Sequence, residues 1–251
     1  MENHREGHIP MGRYGFLSAF VSLFLFVTLP SPSGAYEAIE TAPTGTIVGT
    51  VKFQGKAPGR NKIAITRNKK VCGKETKFAE SLVVASNGGV KNAVLYLTDI
   101  KKGKKFDASA RFQIDQRGCQ FHPHVLIVPA GKNFTLINSD GILHNFRTNS
   151  TKNPILNKAQ PKFKKKMKVK INKPEIIRVN CDVHEWMNAW LVVAEHPYYT
   201  LTDDSGSFKI TGVPPGTYTI RLWHETLGQQ TRKVTVKAGE QTKAAYELKK
   251  K

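Results

Sequence analysis

The sequence predicts an all-β fold on three observations. Short runs rich in valine, isoleucine, threonine, phenylalanine and tyrosine recur along the chain and are broken by glycine and proline. Residues 217–222 and 233–237 alternate between apolar and polar side chains, which is the period of a half-buried strand. No helical pattern of about ten residues or more can be traced. Together these observations favour packed β-sheets.

The predicted strands follow one another from residue 46 to the end of the chain. In order, they are residues 46–53, 81–84, 93–97, 111–115, 125–128, 133–137, 166–171, 175–180, 189–194, 199–203, 207–211, 217–223, 231–237 and 243–248. Asp203-Asp204-Ser205-Gly206 predicts a hairpin turn, and Pro214-Pro215-Gly216 predicts the next tight reversal. Residues 36–44 are predicted to be a flexible leader, and residues 148–162 a polar loop.

The composition is that of a folded protein with one or two domains. The chain has 251 residues, of which 39% are hydrophobic and 23% charged, and this balance argues against general disorder. After residue 35 no charge-free apolar run reaches about 18 residues, so the mature chain is not expected to span a membrane. Three cysteines are too few for a disulfide-dense scaffold.

Residues 1–35 have the layout of a cleaved secretory signal peptide. Arg5 and Arg13 precede an apolar stretch at residues 16–29, and Ser33-Gly34-Ala35 supplies small residues for cleavage. The expected location is therefore periplasmic or secreted, where thiols tend to pair.

An odd number of cysteines in an exported chain leaves one thiol over. Cys181 lies in a motif rich in metal ligands, whereas Cys72 and Cys119 have glycine neighbours and no obvious ligands at metal spacing. We therefore predict a Cys72–Cys119 disulfide and a metal-binding thiolate at Cys181.

The most informative motif is Cys-x-x-His-x-x-Met, formed by Cys181, His184 and Met187. Predicted strands lead into it and out of it, and His144 follows another predicted strand and a turn upstream. One cysteine and two histidines with a weak methionine ligand are the donor set of copper sites that transfer electrons. The sequence therefore predicts one copper ion per chain.

The region around this motif resembles a cupredoxin over residues 123–187. The resemblance is carried by the pattern Phe-x-Pro from residue 121, by Ala-Gly-x-x-x-Thr-x-x-Asn from residue 130, by the His144-Asn145 pair, and by a ligand-loop spacing similar to that of amicyanins. It implies a Greek-key sandwich with His144, Cys181, His184 and Met187 as ligands. It also implies that Asn145 joins the two ligand loops by hydrogen bonds. For a copper ion held by these ligands, we expect electrons to pass through the exposed edge of His184.

Several other polar residues leave alternatives open. Glu185 could replace or supplement Met187 at the axial position. His122 and His124 lie two apart on a predicted strand, so they could hold a second metal, although ordinary polar strand residues explain them more simply. The same alternatives apply to His196 and His224.

A second module resembles the transthyretin-like carboxypeptidase-regulatory family. The resemblance is carried by Thr-Asp-x-x-Gly-x-Phe and Pro-Gly-x-Tyr within residues 202–223, and residues 45–53 resemble the first strand of that family. It implies a β-sandwich split between residues 45–105 and 196–250, with the cupredoxin domain inserted at residues 106–195. The alternative is a cupredoxin enlarged to residues 45–195 with a C-terminal module at residues 196–250. The whole arrangement resembles exported proteins described as methylamine-utilisation or plastocyanin-like.

The charge of the chain bears on its partners. Lysine and arginine total 39 against 19 aspartate and glutamate, a net charge of +20, and lysines concentrate at residues 162–173. Lys166, Lys168 and Lys170 share one strand face, which is either simply solvated or a docking surface for an acidic redox protein. No base-reading motif is present, so nucleic acid is not an expected partner.

These features predict an exported mononuclear copper protein that carries single electrons. No nucleophile–base pair or catalytic carboxylate pair stands out, so an enzyme is not expected. Two other classes stay open, which are a copper storage or delivery protein and a structural or adhesive β-protein in which copper is incidental.

Overall fold

The computed structural model describes residues 1, 36–40 and 43–250. Apart from Met1, the predicted signal peptide lies outside the described residues. In the described part of the chain, the four-residue helix α1 (Lys69–Cys72) is the only α-helix and all other regular elements are strands, which confirms the all-β prediction. No helix in that part is long and apolar enough to cross a membrane.

Most strands belong to one of two sandwiches, while the first and fourth strands form a separate two-stranded sheet, and the bounds of all strands are as follows. They are β1 (Glu37–Ala38), β2 (Gly45–Phe53), β3 (Val94–Leu97), β4 (Lys102–Gly103), β5 (Gln113–Arg117), β6 (Gln120–His122), β7 (Val125–Pro129), β8 (Asn133–Asn138), β9 (His144–Asn149), β10 (Asn157–Gln160), β11 (Lys166–Lys170), β12 (Glu175–Asn180), β13 (Asn188–Ala194), β14 (Tyr199–Leu201), β15 (Ser207–Val213), β16 (Gly216–His224), β17 (Gly228–Val236) and β18 (Gln241–Leu248).

Sandwich A consists of the strands from β5 to β13. One sheet has the order β10-β9-β12-β13-β7, and the other has the order β11-β8-β5-β6. Apolar side chains from both sheets share one buried core, which includes Phe121, Phe134 and Phe146. The phenylalanine rings meet edge to face at about 6 Å, with centroids 6.1 Å apart for Phe121 and Phe146.

Sandwich B combines strands from both ends of the described chain. Strand β2 pairs in parallel with β18 and antiparallel with β15, while β3 pairs with β14 and β16. Its core is separate and includes Ile47, Leu95 and Tyr198. The early strands β2 and β3 find their pairing partners in the last quarter of the chain, so the two segments depend on each other for a shared core. The domain boundaries given above stay a prediction.

The two sandwiches meet through a third, smaller cluster. Val94, Val125 and Val192 are buried there, and the rings of Trp190 and Trp223 pack edge to face at 4.8 Å. The contact is not purely apolar, because His124 of sandwich A and Glu225 of sandwich B form a largely buried hydrogen bond beside it.

Three local expectations were wrong. Residues 81–84 do not form a strand, since Val84 makes one isolated bridge to Val90. The polar loop at residues 148–162 contains β10, which pairs with β9. The leader at residues 36–44 contains β1, which pairs in parallel with β4. At residues 81–84 an apolar pattern favoured a strand that, among the described residues, has no neighbouring strand to pair with. The strands β1 and β10 were missed because β1 pairs with a distant strand and β10 is polar, so local propensity gave no signal for either.

Candidate metal centre

The pairing of β9 with β12 brings the predicted ligands to one end of sandwich A. The two strands are antiparallel, with Asn180 opposite Arg147. Cys181 follows β12 directly and His144 is the first residue of β9, so both lie at the same end of the sheet. The return loop to β13 is closed by backbone hydrogen bonds, from Met187 N to His184 O (2.9 Å) and from Cys181 N to Met187 O (3.2 Å).

Three donor atoms form a small triangle at this end of the sheet. His144 Nδ1 and His184 Nδ1 are 3.0 Å apart, and Cys181 Sγ lies 3.9 Å from the first and 3.8 Å from the second. The relative exposures of His144, His184 and Cys181 are 0%, 0% and 1%. A thiol and two imidazoles have thus been removed from water and directed at one point.

The triangle has the size that one metal ion requires. A point about 2.1 Å from all three atoms lies in their plane, which agrees with metal–nitrogen distances of about 2.0–2.1 Å and metal–sulfur distances of about 2.3 Å. A thiolate with two imidazoles in a trigonal arrangement is the equatorial donor set of mononuclear electron-transfer copper sites. The residues present therefore fit a copper ion.

His144 is oriented by a buried carboxylate. Asp140 accepts a hydrogen bond from His144 Nε2 at 2.9 Å, and it also accepts from the backbone amides of Gly118 and Cys119. A carboxylate can only accept, so Nε2 of the ring carries a proton, and Nδ1 is the ring nitrogen that faces the triangle. Asp140 was not among the residues predicted from the sequence, although its place four residues before a predicted ligand was a usable signal.

His184 is oriented by a residue from a distant part of the chain. Its Nε2 lies 2.9 Å from Asn68 Oδ1, and this contact covers the edge of the ring that faces away from the triangle. The expectation of an exposed His184 edge is therefore wrong, because Asn68 and its neighbours occupy the place where solvent would lie. Nothing in the sequence around Asn68 indicated this contact.

Asn145 bonds to both ligand loops. Its backbone amide points to Cys181 Sγ at 3.5 Å, and its side-chain oxygen accepts from Asp182 N at 2.6 Å. Its side-chain nitrogen donates to Asn157 Oδ1 and to Asp182 Oδ2. The Cys181 sulfur thus accepts a hydrogen bond from the Asn145 amide, and the Asn145 side chain holds the loops of His144 and Cys181 together.

Burial and hydrogen bonding set the charges of the triangle. Burial raises the pKa of the Cys181 thiol, but hydrogen bonds to the sulfur from His144 and from the Asn145 amide outweigh it and lower the pKa overall. Burial lowers the pKa of His144, but hydrogen bonds with Asp140 and Cys181 raise it overall. For His184, burial and the nearby charge of His144 lower the pKa to about 4. The site thus favours a thiolate and a neutral His184.

The predicted disulfide is present and lies beside the triangle. Cys72 of α1 is bonded to Cys119, and their sulfur atoms lie within 4.8 Å of a His184 ring nitrogen. Both cysteines are fully buried, and Trp186 donates a hydrogen bond to the Cys119 carbonyl at 3.0 Å.

The remaining predicted ligands differ in their surroundings. Met187 is 1% exposed and belongs to the same buried core as Cys181. Glu185 is exposed and lines an open groove of about 640 Å³ beside Cys181. Among the described residues, the compact groups of potential metal ligands near His184 do not include Glu185.

Three of the other histidines, His124, His196 and His224, have protein partners. His122 ends β6, and His124 lies before β7 and bonds to Glu225, so the two do not share one strand. His196 Nε2 donates to the Leu97 carbonyl at 2.9 Å, and His224 Nδ1 accepts from the Thr226 and Leu227 amides. Within the described part of the chain, none of them belongs to a compact group of potential metal ligands.

Comparison with protein families matches residues 171–244 to polysaccharide lyase family 4, domain II, a match that runs from the last strands of sandwich A into sandwich B. This description differs from the transthyretin-like resemblance, which stays a prediction. No curated protein matches the chain.

Comparison with solved structures finds remote similarities. A purple cupredoxin from Nitrosopumilus maritimus is 17% identical over 33% of this chain and 98% of its own, with a TM-score of 0.28. An amicyanin mutant in its Cu(I) form is 17% identical over 36% of this chain and 87% of its own, with a TM-score of 0.31. A copper-containing nitrite reductase from Thermus scotoductus SA-01 is 18% identical over 36% of this chain and 25% of its own, with a TM-score of 0.30. Because these TM-scores are low, the similarities carry no argument about function, and the site is interpreted from its own side chains alone.

Proposed function

We propose that the protein is an exported copper protein with one ion per chain and that it carries single electrons. The observation that carries the proposal is the buried triangle of Cys181 Sγ, His144 Nδ1 and His184 Nδ1, with sides of 3.0, 3.8 and 3.9 Å. Copper bound there would supply a Cu(I)/Cu(II) redox couple that takes up and releases one electron. Met187 is the candidate for the weak axial ligand.

The ligand residues favour electron carriage because hydrogen bonds hold them in fixed positions. Cys181 supplies a soft sulfur that suits Cu(I), and the imidazoles suit both oxidation states. Asp140 and Asn145 fix the ligand loops by hydrogen bonds, so the donors need to move little between the two states. Donors that are at most 1% exposed also exclude water and slow the exchange of the ion, which favours carriage over delivery.

The experiment that tests the proposal is an absorption and electron-spin-resonance spectrum of the Cu(II)-loaded protein. We expect an intense visible sulfur-to-copper band and a narrow copper hyperfine splitting. Cys181→Ser should lose the visible band, because an alcohol cannot replace the thiolate as a charge-transfer donor. Wild-type protein that takes up copper at the triangle without such a band would contradict the proposal.

We also propose that the redox partner is an acidic protein. The loop at residues 161–165 lies beside the loop that precedes His144, since Asn138 N donates to Lys165 O at 2.9 Å. Lys164 and Lys165 are exposed there, and Phe163 is 85% exposed. An apolar side chain surrounded by positive charge fits a partner that is acidic around an apolar contact.

Replacing Lys164 and Lys165 with glutamate should slow oxidation of the copper-loaded, reduced protein by the hexacyanoferrate(III) anion by about 10-fold at low ionic strength. The effect should fade as salt is added, because salt screens the charge. The measurement is stopped-flow kinetics over a range of salt. Lys209→Glu with Lys243→Glu on sandwich B is the matched control. If both pairs slow the reaction equally, only net charge matters and the surface is not a docking site.

A further inference from the structure

Residues 54–80 form a covering segment over the metal centre. The segment leaves sandwich B after β2 and returns before β3, and it supplies none of the three donors of the triangle. Ile65 and Val71 pack against the core of sandwich A, and Cys72 is bonded to Cys119 of that sandwich. The segment thus crosses from one sandwich to the other and is fastened there by a covalent bond.

We propose that Asn68 of this segment is a positioning residue that fixes His184 for the metal and closes its outer edge. The inference rests on the proposed function, because it assigns a role at the same site. Asn68 Oδ1 is a hydrogen-bond acceptor 2.9 Å from His184 Nε2. The acceptor holds the proton on Nε2, and the Nδ1 lone pair then faces His144 and Cys181, where the ion would lie.

The local backbone holds Asn68 in the orientation that this role needs. Its φ of 49° and ψ of 41° are in the left-handed region, which asparagine tolerates better than most residues. Its carbonyl accepts from the amides of Val71 and Cys72, both at 2.9 Å. The short turn is therefore closed on one side by hydrogen bonds and on the other by the disulfide at Cys72.

The disulfide ties the supports of both imidazoles together. On one side it holds the turn that carries Asn68, which contacts His184. On the other side the Cys119 amide donates a hydrogen bond to Asp140, which also accepts a hydrogen bond from His144. One crosslink thus stabilises the orientation of two ligands that lie 40 residues apart in the sequence.

The test uses two variants of the full chain that differ at Asn68 alone. Asn68→Gly suits a φ of 49° and removes the side chain, so it deletes the acceptor and uncovers His184 without backbone strain. Asn68→Asp keeps an acceptor and also tolerates this backbone, so it is the rescue control. The probe is copper alone, in competition with a chelator.

We expect Asn68→Gly to weaken copper binding by about 10–100-fold and to shift the visible band or the hyperfine splitting, while Asn68→Asp stays within about threefold of wild type. In metal-free protein, ¹⁵N resonances of the His184 ring should show the proton on Nε2 in wild type and Asn68→Asp, and a mixture of tautomers in Asn68→Gly. Wild-type behaviour of Asn68→Gly in both measurements would overturn the inference. Equal defects in both variants would overturn it as well.

The two measurements separate this inference from the proposed function. If wild-type protein binds no copper, the proposed function fails, but the tautomer of His184 in metal-free protein still decides whether Asn68 positions the ring. If wild type binds copper and Asn68→Gly is unchanged in affinity, spectrum and tautomer, the proposed function stands and the role of Asn68 fails.

Discussion

Glu225→Ala should destabilise the folded chain by about 1–3 kcal/mol, because it leaves the buried His124 ring without its hydrogen-bond partner. The side chains of His124 and Glu225 are only 4% and 13% exposed. Burial raises the pKa of Glu225, but the hydrogen bond from His124 outweighs it and lowers the pKa overall, so the carboxylate is the favoured form. Folded domains are stable by about 5–15 kcal/mol, and the expected loss is a large part of this. Urea unfolding at pH 7 measures it.

A double-mutant cycle separates the pair from simple truncation. His124→Ala combined with Glu225→Ala removes both polar groups, and we expect it to cost about 1–3 kcal/mol less than the sum of the single changes. Glu240→Ala, at a carboxylate that is 60% exposed and 3.9 Å from Lys237, is the surface control and should cost no more than about 1 kcal/mol. Additive single changes would show that the pair does not couple the two sandwiches.

Asp140→Asn should weaken copper binding by about 10–100-fold. Three N–H groups converge on the two carboxylate oxygens, from Gly118, Cys119 and His144. Asparagine keeps one oxygen and replaces the other with an NH₂ group, so in either orientation a donor faces a donor. With its oxygen towards Gly118, the amide would leave His144 and Cys119 without an acceptor, and with its oxygen towards His144 it would leave Gly118 without one. Chelator competition measures the change in affinity.

The matched control is Asp204→Asn, the same chemical change at a carboxylate that is 86% exposed on sandwich B. Its copper affinity should equal that of wild type. If Asp140→Asn also binds copper within about threefold of wild type, then the buried carboxylate does not orient His144. Folding of each variant is checked by the near-ultraviolet circular dichroism of the metal-free protein.

Local patterns were sufficient for most of the strands and for the disulfide. Alternation at residues 217–222 and 233–237 predicted strands that the structure contains as parts of β16 and β17. The odd cysteine count predicted the bond between Cys72 and Cys119. Both inferences depend on side-chain period or residue count, which are properties of the chain itself.

Long-range contacts were not predictable in the same way. Strand β10 is polar and forms because β9 lies beside it, and β1 forms only against β4. The buried His124 was interpreted as an ordinary strand residue, because its partner Glu225 lies 101 positions away. The sequence of the covering segment has no pattern that relates it to His184, although its Asn68 forms a hydrogen bond with the His184 ring.

The sequence by itself determined which donor atoms are available, because a thiol, two imidazoles and a thioether are properties of the residue types and not of their arrangement. Only the tertiary structure decided which nitrogen of each ring faces the triangle and whether the site is open to water. Those properties depend on Asp140 and Asn68, whose hydrogen bonds are set by how distant turns pack. A hydrogen bond depends on distance and direction in space, and separation along the chain specifies neither.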